Sequence, residues 1–211
     1  MDNYFFVTAA KFSQLAYQDE IPLYPFEMIQ SSGTDTEAFI VKYNADVLYV
    51  IYRGTERCFK DMATDFKFFR KIIPFSGMNY DTKIRAHCGF VGAYQSVRRR
   101  ILDKIEDNKT ETVIHCGHSL GGALAQLSVL DGCYNLPDRK HIGATFGQPA
   151  VGNMAFNRSF RKRVKNYYRF VNHFDFITWL PITSLHSAKK TQLSTYGHDA
   201  SDYVRGVYKW A

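Results

Sequence analysis

Val113-Ile114-His115-Cys116-Gly117-His118-Ser119-Leu120-Gly121-Gly122-Ala123-Leu124-Ala125 begins as a largely β-branched run and ends in small, helix-compatible residues. The pattern predicts a strand over 112–116 and a helix over 120–130, with Asp131-Gly132 as its stop signal. Between the two lies Gly117-x-Ser119-x-Gly121. In a strand–turn–helix context this short pattern reads as a nucleophile elbow, in which a tight turn lifts the serine hydroxyl clear of the sheet. Glycine suits positions 117 and 121 because the crossing backbone leaves no room for a Cβ. The helix N-terminus that follows offers unpaired N–H groups and a positive dipole end to a developing anion. Ser119 is therefore the candidate nucleophile, and the Leu120 amide a candidate oxyanion donor. A chance glycine-rich turn is the competing reading, and the flanking strand and helix weigh against it.

Working outward, Phe5, Ala9, Phe12 and Ala16 recur at helical spacing and predict an amphipathic helix over about 5–17. Residues 38–43 and 47–52 are β-branched and aromatic runs separated by Asn44-Ala45-Asp46, which predicts a hairpin. Phe90, Tyr94, Val97, Ile101 and Ile105 form a long helical stripe. Strands are expected at 141–146 and 167–172, with a helix over 154–164 between them and a shorter apolar run over 176–180. Alternating strands and helices imply a mostly parallel sheet flanked by helices, with right-handed crossovers. Sites in such sheets form beyond the carboxyl ends of the strands.

The 211-residue chain is 45% apolar and 22% charged, a globular composition with no repeat, low-complexity tract or linker, so one domain over 1–211 is expected. No basic, apolar leader opens the chain and no apolar run is long enough to span a bilayer. The expectation is a cytoplasmic chain or one exported by a non-classical route. The net charge of +7, with Arg98-Arg99-Arg100 and the basic run over 158–165, favours contact with an anionic membrane surface. The arginine triplet is expected on a solvated face of the long helix, and nucleic-acid binding is not expected. Cys58, Cys88, Cys116 and Cys133 show neither zinc-site spacing nor a disulfide framework. Cys116 reads as a buried thiol. Cys58 and Cys88 bracket one segment and could bridge in an oxidising compartment, although free thiols are the expectation without a secretion signal.

The segment Gly-His-Ser-Leu-Gly-Gly-Ala-Leu-Ala at 117–125 resembles the nucleophile region of the class 3, fungal-type lipases, an α/β-hydrolase family. Other stretches resemble that family in the same order: Tyr52-Arg53-Gly54-Thr55, Asp61-Met62-Ala63-Thr64-Asp65-Phe66, Ala86-His87-Cys88-Gly89-Phe90, and Thr145-Phe146-Gly147-Gln148-Pro149-Ala150-Val151-Gly152-Asn153. Met62 stands where the family carries tryptophan. The resemblance implies an α/β-hydrolase fold and hydrolysis of lipid esters, with a phospholipase or a catalytically silent scaffold as alternatives. It also implies Thr55 as the second oxyanion donor and a lid over 57–69. A plain core helix is the competing reading of that aromatic stretch.

In an α/β-hydrolase the acid and then the histidine follow the serine in the chain. Asp175, just past the strand in Phe170-Val171-Asn172-His173-Phe174-Asp175, is the candidate acid and also fits the family pattern one residue short. Asp131 and Asp138 read as loop residues and are weaker candidates. His87, His115, His118 and His141 precede the acid, and His173 lies too close to it, which leaves His186 and His198. The stretch from His198 to Tyr203 resembles the family's C-terminal histidine region, which implies His198 as the base, with His186 in reserve. A Ser119–Asp175–His198 triad working through an acyl-enzyme needs neither metal nor organic cofactor.

Overall fold

A computed structural model describes residues 3–19, 21–54, 70–73, 83–180 and 186–211. Its helices are α1 (Tyr4–Leu15), α2 (Cys88–Asn108), α3 (Leu120–Asn135), α4 (Met154–Arg163) and α5 (Ala200–Trp210). Its strands are β1 (Phe26–Ser31), β2 (Thr36–Lys42), β3 (Val47–Tyr52), β4 (Arg70–Ile72), β5 (Arg85–His87), β6 (Thr112–His118), β7 (Lys140–Phe146), β8 (Asn166–His173) and β9 (Lys190–Tyr196). Seven of them form one sheet in the order β1-β2-β3-β6-β7-β8-β9, and β4 pairs with β5 apart from it. The first three strands are antiparallel neighbours, and every pairing from β3 to β9 is parallel. This is the mostly parallel, helix-flanked sheet that the alternation of elements implies.

The near-continuous apolar runs of the central strands follow from burial on both faces. In β3, Leu48, Val50 and Tyr52 enter one core with Phe90, Tyr94 and Ile101 of α2 and with most of α3. Tyr49 and Ile51 enter the other with Phe6, Val7 and Phe12 of α1 and with Val207 of α5. The expected hairpin is present as β2 and β3, and Asn44 closes its turn by accepting the Asp46 and Val47 amides at 2.9 Å each. Each edge strand buries a single residue, Ile29 in β1 and Leu193 in β9, so neither shows the sustained apolar alternation that a periodicity search detects; Phe26 and Met28 of β1 are apolar but exposed.

Two expectations about polar residues change. Helix α3 does not stop near residue 130 but runs through Asp131-Gly132 to Asn135. Asp131 is fully buried there, so it is not a loop residue; its carboxylate accepts from Tyr94 Oη at 2.8 Å, Arg98 Nε at 2.6 Å and Asn135 Nδ2 at 2.6 Å. Gly132 serves close packing rather than termination, since a Cβ there would lie 2.5 Å from the His141 ring. Arg98 accordingly leaves the solvated face to which the sequence assigned it, whereas Arg99 stays exposed beside Asp103. Losing the carboxylate removes a charged acceptor from both Arg98 and Tyr94 on the buried side of the helix. Asp131→Ala is expected to cost about 3–5 kcal/mol in urea unfolding, and Arg99→Ala less than about 0.5 kcal/mol.

A second buried polar chain joins α3 to the sheet. His141 Nε2 lies 3.0 Å from the Leu136 carbonyl, which can only accept, so that nitrogen carries the proton. His141 Nδ1 then accepts from His115 Nε2 at 3.0 Å, and His115 Nδ1 accepts from Ser128 Oγ at 2.9 Å. The chain closes with both imidazoles neutral, the form that burial favours by lowering both pKa values below the ordinary 6.5. Below that value the unfolded state binds the extra protons, so this contribution to stability is present above pH 6.5 and is lost as the pH falls. Denaturant titrations from pH 7 down to pH 5 are expected to show stability falling, at up to about 1.4 kcal/mol per pH unit for each histidine. A flat profile over that interval would contradict the neutral pair.

Candidate active site

The carboxyl ends of the parallel strands collect the residues that the sequence singles out. Ser119 follows β6, Gly147 follows β7, Asp175 lies two residues past β8 and His198 two past β9. Arg53 and Gly54 leave β3 beside them. Ser119 adopts φ 56° and ψ −124°, a left-handed conformation that side-chain-bearing residues avoid. Its amide donates to the Phe146 carbonyl at 2.9 Å and its carbonyl accepts from the Gly122 amide at 3.0 Å, which holds the turn. A Cβ at Gly117 would lie 2.5 Å from the Gly121 carbonyl oxygen, and one at Gly121 would lie 2.1 Å from that of Tyr52. Both glycines are thus required by backbone contact.

The elbow brings three distant residues into one relay. Ser119 Oγ lies 2.8 Å from His198 Nε2, and His198 Nδ1 lies 2.8 Å from Asp175 Oδ2. A carboxylate oxygen accepts, so Nδ1 carries the imidazole proton and Nε2 presents its lone pair to the serine hydroxyl. Asp175 is buried, and its Oδ1 accepts the Ile177 amide at 3.0 Å. Gly147, at φ 61°, lies against this pair, since a Cβ there would be 2.8 Å from Asp175 Oδ2 and 3.0 Å from the His198 ring.

Two further contacts escape a sequence reading. Tyr203 ends the stretch that resembles the family's histidine region, and in the fold its hydroxyl donates to Asp175 Oδ2 at 2.6 Å while accepting the Asn172 amide at 3.0 Å. Burial, and then the Asp175 charge, push its phenol pKa upward. His118, set aside as a base because it precedes the acid, lies 2.6 Å from the His198 carbonyl through Nε2. That carbonyl assigns the proton to Nε2, so Nδ1 accepts from Tyr17 Oη at 2.9 Å. Burial, and then the neighbouring His198, push the His118 pKa down to about 3. No local pattern links Tyr17, His118 and residue 198, because the association exists only once the sheet has formed.

The remaining candidates separate. His186 is not part of the relay; its Nε2 donates to the Thr178 carbonyl at 2.5 Å, and burial and Arg169 lower its pKa to about 4. The His173 ring lies tilted against Tyr196, 5.3 Å between centroids. Leu120 opens α3, where a first-turn amide has no intrahelical acceptor. Thr55, Cys58 and the expected lid over 57–69 lie outside the described residues. Gly54, next to Thr55, backs onto the elbow, since a Cβ there would meet Tyr17 Oη at 2.3 Å and the His118 carbonyl at 3.0 Å. Arg53 reaches Asp19 and Glu37 at 2.6 Å each. Cys116 is buried, and Cys88, Cys116 and Cys133 are free thiols. Among the described residues no group of three His, Cys, Asp or Glu side chains is placed to hold a metal, and no helix is long and apolar enough to cross a membrane.

The sequence profile of the lipase (class 3) family matches residues 49–185. The chain is 31% identical over 157 residues to a lipase of Rhizomucor miehei, an alignment covering 70% of this chain and 41% of that protein. It is 28% identical over 177 residues to the chloroplastic phospholipase A1-Igamma1 of Arabidopsis thaliana, covering 70% of this chain and 34% of the other. The structure of the Rhizomucor miehei lipase propeptide complex superposes with a TM-score of 0.76 at 22% identity, covering 95% of this chain and 76% of that one, a likeness of fold. The chain spans about two fifths of the length of the curated relatives it matches.

The glycine contacts set an expectation that does not depend on any activity. At Gly121 a methyl group meets backbone rather than a movable side chain, so the elbow has no means of making room. Gly121→Ala is expected to lower the midpoint of thermal unfolding by about 5 °C or more. Gly33→Ala, where a Cβ has open space around it, serves as the control and is expected to leave the midpoint nearly unchanged.

Proposed function

The chain belongs to the lipase (class 3) family, and on that premise we propose that it hydrolyses carboxylic esters of lipids. Ser119 serves as nucleophile, His198 as general base and then acid, and Asp175 as the carboxylate that orients the imidazole. Residues 1–211 act on this reading as one catalytic domain. The observation that carries the proposal is the unbroken relay from Ser119 Oγ through the His198 ring to buried Asp175, with 2.8 Å at each contact.

His198 Nε2 takes the serine proton as Oγ attacks the ester carbonyl, and the resulting imidazolium is stabilised by Asp175. The tetrahedral oxyanion is met by the Leu120 amide at the N-terminus of α3 and, as the family resemblance implies, by Thr55. Collapse transfers the His198 proton to the departing alcohol and leaves an acyl group on Ser119. Water, deprotonated by His198, then releases the carboxylic acid and restores the serine. Every step uses this chain's own groups. Tyr203 and the Ile177 amide hold the carboxylate from behind, and the His118 bond to the His198 carbonyl holds the base's backbone.

A phospholipase is the second reading. The Arabidopsis thaliana relative bears that name, and the chain's net charge of +7 suits an anionic lipid surface. Hydrolysis of short-chain esters, triacylglycerol and phospholipid vesicles by the parent chain tests both readings at once. Ser119→Ala is expected to lower kcat on the preferred substrate by roughly ten-thousand-fold or more. Tyr203→Phe keeps the ring and deletes one hydrogen bond to a charged acceptor, so kcat is expected to fall about ten- to hundredfold with KM little changed. A folded parent chain that hydrolyses none of these esters would leave a non-catalytic scaffold as the reading to pursue.

A further inference from the structure

Two buried side chains that the relay does not use back the turn that carries its acid. Arg169 on β8 is 6% exposed, and its Nε has no hydrogen-bond partner. Among the described residues no carboxylate forms an ion pair with it. Its Nη1 lies 3.4 Å from His186 Nε2. His186 Nδ1 is likewise buried and without a hydrogen-bond partner, while Nε2 holds the Thr178 carbonyl. Buried Thr178 holds Asp175 in turn: its hydroxyl donates to the Asp175 carbonyl at 2.7 Å, and its amide donates to the same oxygen at 3.3 Å. The Ile177 amide reaches Asp175 Oδ1 from within the same turn, so residues 175–178 fix both the peptide and the carboxylate of the acid.

An unpaired polar atom in a buried setting is unfavourable, and an apolar side chain of similar size would fill either position without that penalty. Packing alone therefore does not account for a guanidinium and an imidazole at these positions. The two groups instead begin a short chain of contacts, from Arg169 to His186 to Thr178 to Asp175, that ends at the relay. We propose that His186, backed by Arg169, is a positioning residue for the acid: by holding the Thr178 carbonyl it sets the turn that aims the Asp175 carboxylate at His198 Nδ1. His186 acts through Thr178 and not on the reacting atoms. Burial, and then the Arg169 charge, hold the His186 pKa down to about 4, so near pH 7 the imidazole is neutral and its one N–H is committed to Thr178. Burial lowers the Arg169 pKa as well, and Tyr167, Tyr203 and Asp175 oppose that shift. The inference rests on the proposed Ser119–His198–Asp175 relay and adds to it the groups that hold its acid in line.

The test compares, in the full chain, two substitutions of equal polarity and different reach. His186→Gln places an amide N–H near the position of Nε2 and keeps the bond to Thr178, whereas His186→Asn reaches only as far as Nδ1 and loses it. On a soluble p-nitrophenyl ester, His186→Asn is expected to lower kcat about tenfold with KM little changed, and His186→Gln to stay within about threefold of the parent. The far-downfield proton NMR resonance of His198 Nδ1–H, identified by its loss in His198→Gln, reads the aim of the carboxylate without turnover. It is expected to move upfield in His186→Asn and to keep its place in His186→Gln. Thr178→Val deletes the hydroxyl that holds the Asp175 carbonyl, and is expected to reproduce both effects of His186→Asn. The double variant should then lose less activity than the product of the two separate losses. An unmoved resonance with unchanged kcat in His186→Asn overturns the proposal. So do equal losses in His186→Asn and His186→Gln, or fully multiplicative losses in the double variant. Should His186→Asn fail to fold, Thr178→Val carries the same test, and an unmoved resonance there overturns the proposal. A parent chain that hydrolyses esters while both readouts ignore His186 defeats this inference alone. One whose resonance responds as expected but that hydrolyses no ester defeats the catalytic reading alone.

Discussion

Strand β6 ends and helix α3 begins at one residue, and the rest of the site is arranged around that change of direction. Ser119 must take a positive φ for the chain to turn so sharply, and the crossing backbones at Gly117, Gly121 and Tyr52 leave no volume for side chains. Such strain persists only where the surroundings over-determine it. Here they do: β3 and β7 flank β6 in parallel register, the Ser119 amide is tied to Phe146, and α3 is buried along its length as far as Gly132.

The parallel sheet converts this local strain into an assembled relay. Because β6, β7, β8 and β9 run the same way, their carboxyl ends open onto one edge, and Ser119, Gly147, Asp175 and His198 arrive there from separate crossovers. A second layer then fixes their orientation. Tyr203 from α5 and the Ile177 amide hold the two oxygens of Asp175, while His118 and Tyr17 hold the backbone of residue 198 from the opposite side. Buried hydrogen bonds of this kind act as positioning devices because neither partner has water to turn to.

Away from the site, the same helix α3 anchors two buried polar clusters, Asp131 with Arg98 and Tyr94, and Ser128 with His115 and His141. The first ties α3 to α2, and the second ties it to β6 and β7. The helix that follows the elbow is thereby held at its middle, through Ser128, and towards its far end, through Asp131.

By itself the sequence determined what depends on local chemistry: the turn in 117–121, the central strands and the hairpin at 44–46. These were legible because a tight turn, a period of two and a strand's apolar run leave their marks within a few neighbouring residues. Tertiary structure decided the rest. It showed α3 passing through Asp131-Gly132, because a distant arginine and tyrosine satisfy the carboxylate and the His141 ring occupies the space where a side chain at 132 would project. It added the edge strands β1 and β9, took His186 out of the relay, and brought Tyr17, His118 and Tyr203 to it. The physical reason is the same in each case. A residue's partner across the sheet lies tens to hundreds of positions away, so the contact that defines its role has no signature in its own neighbourhood.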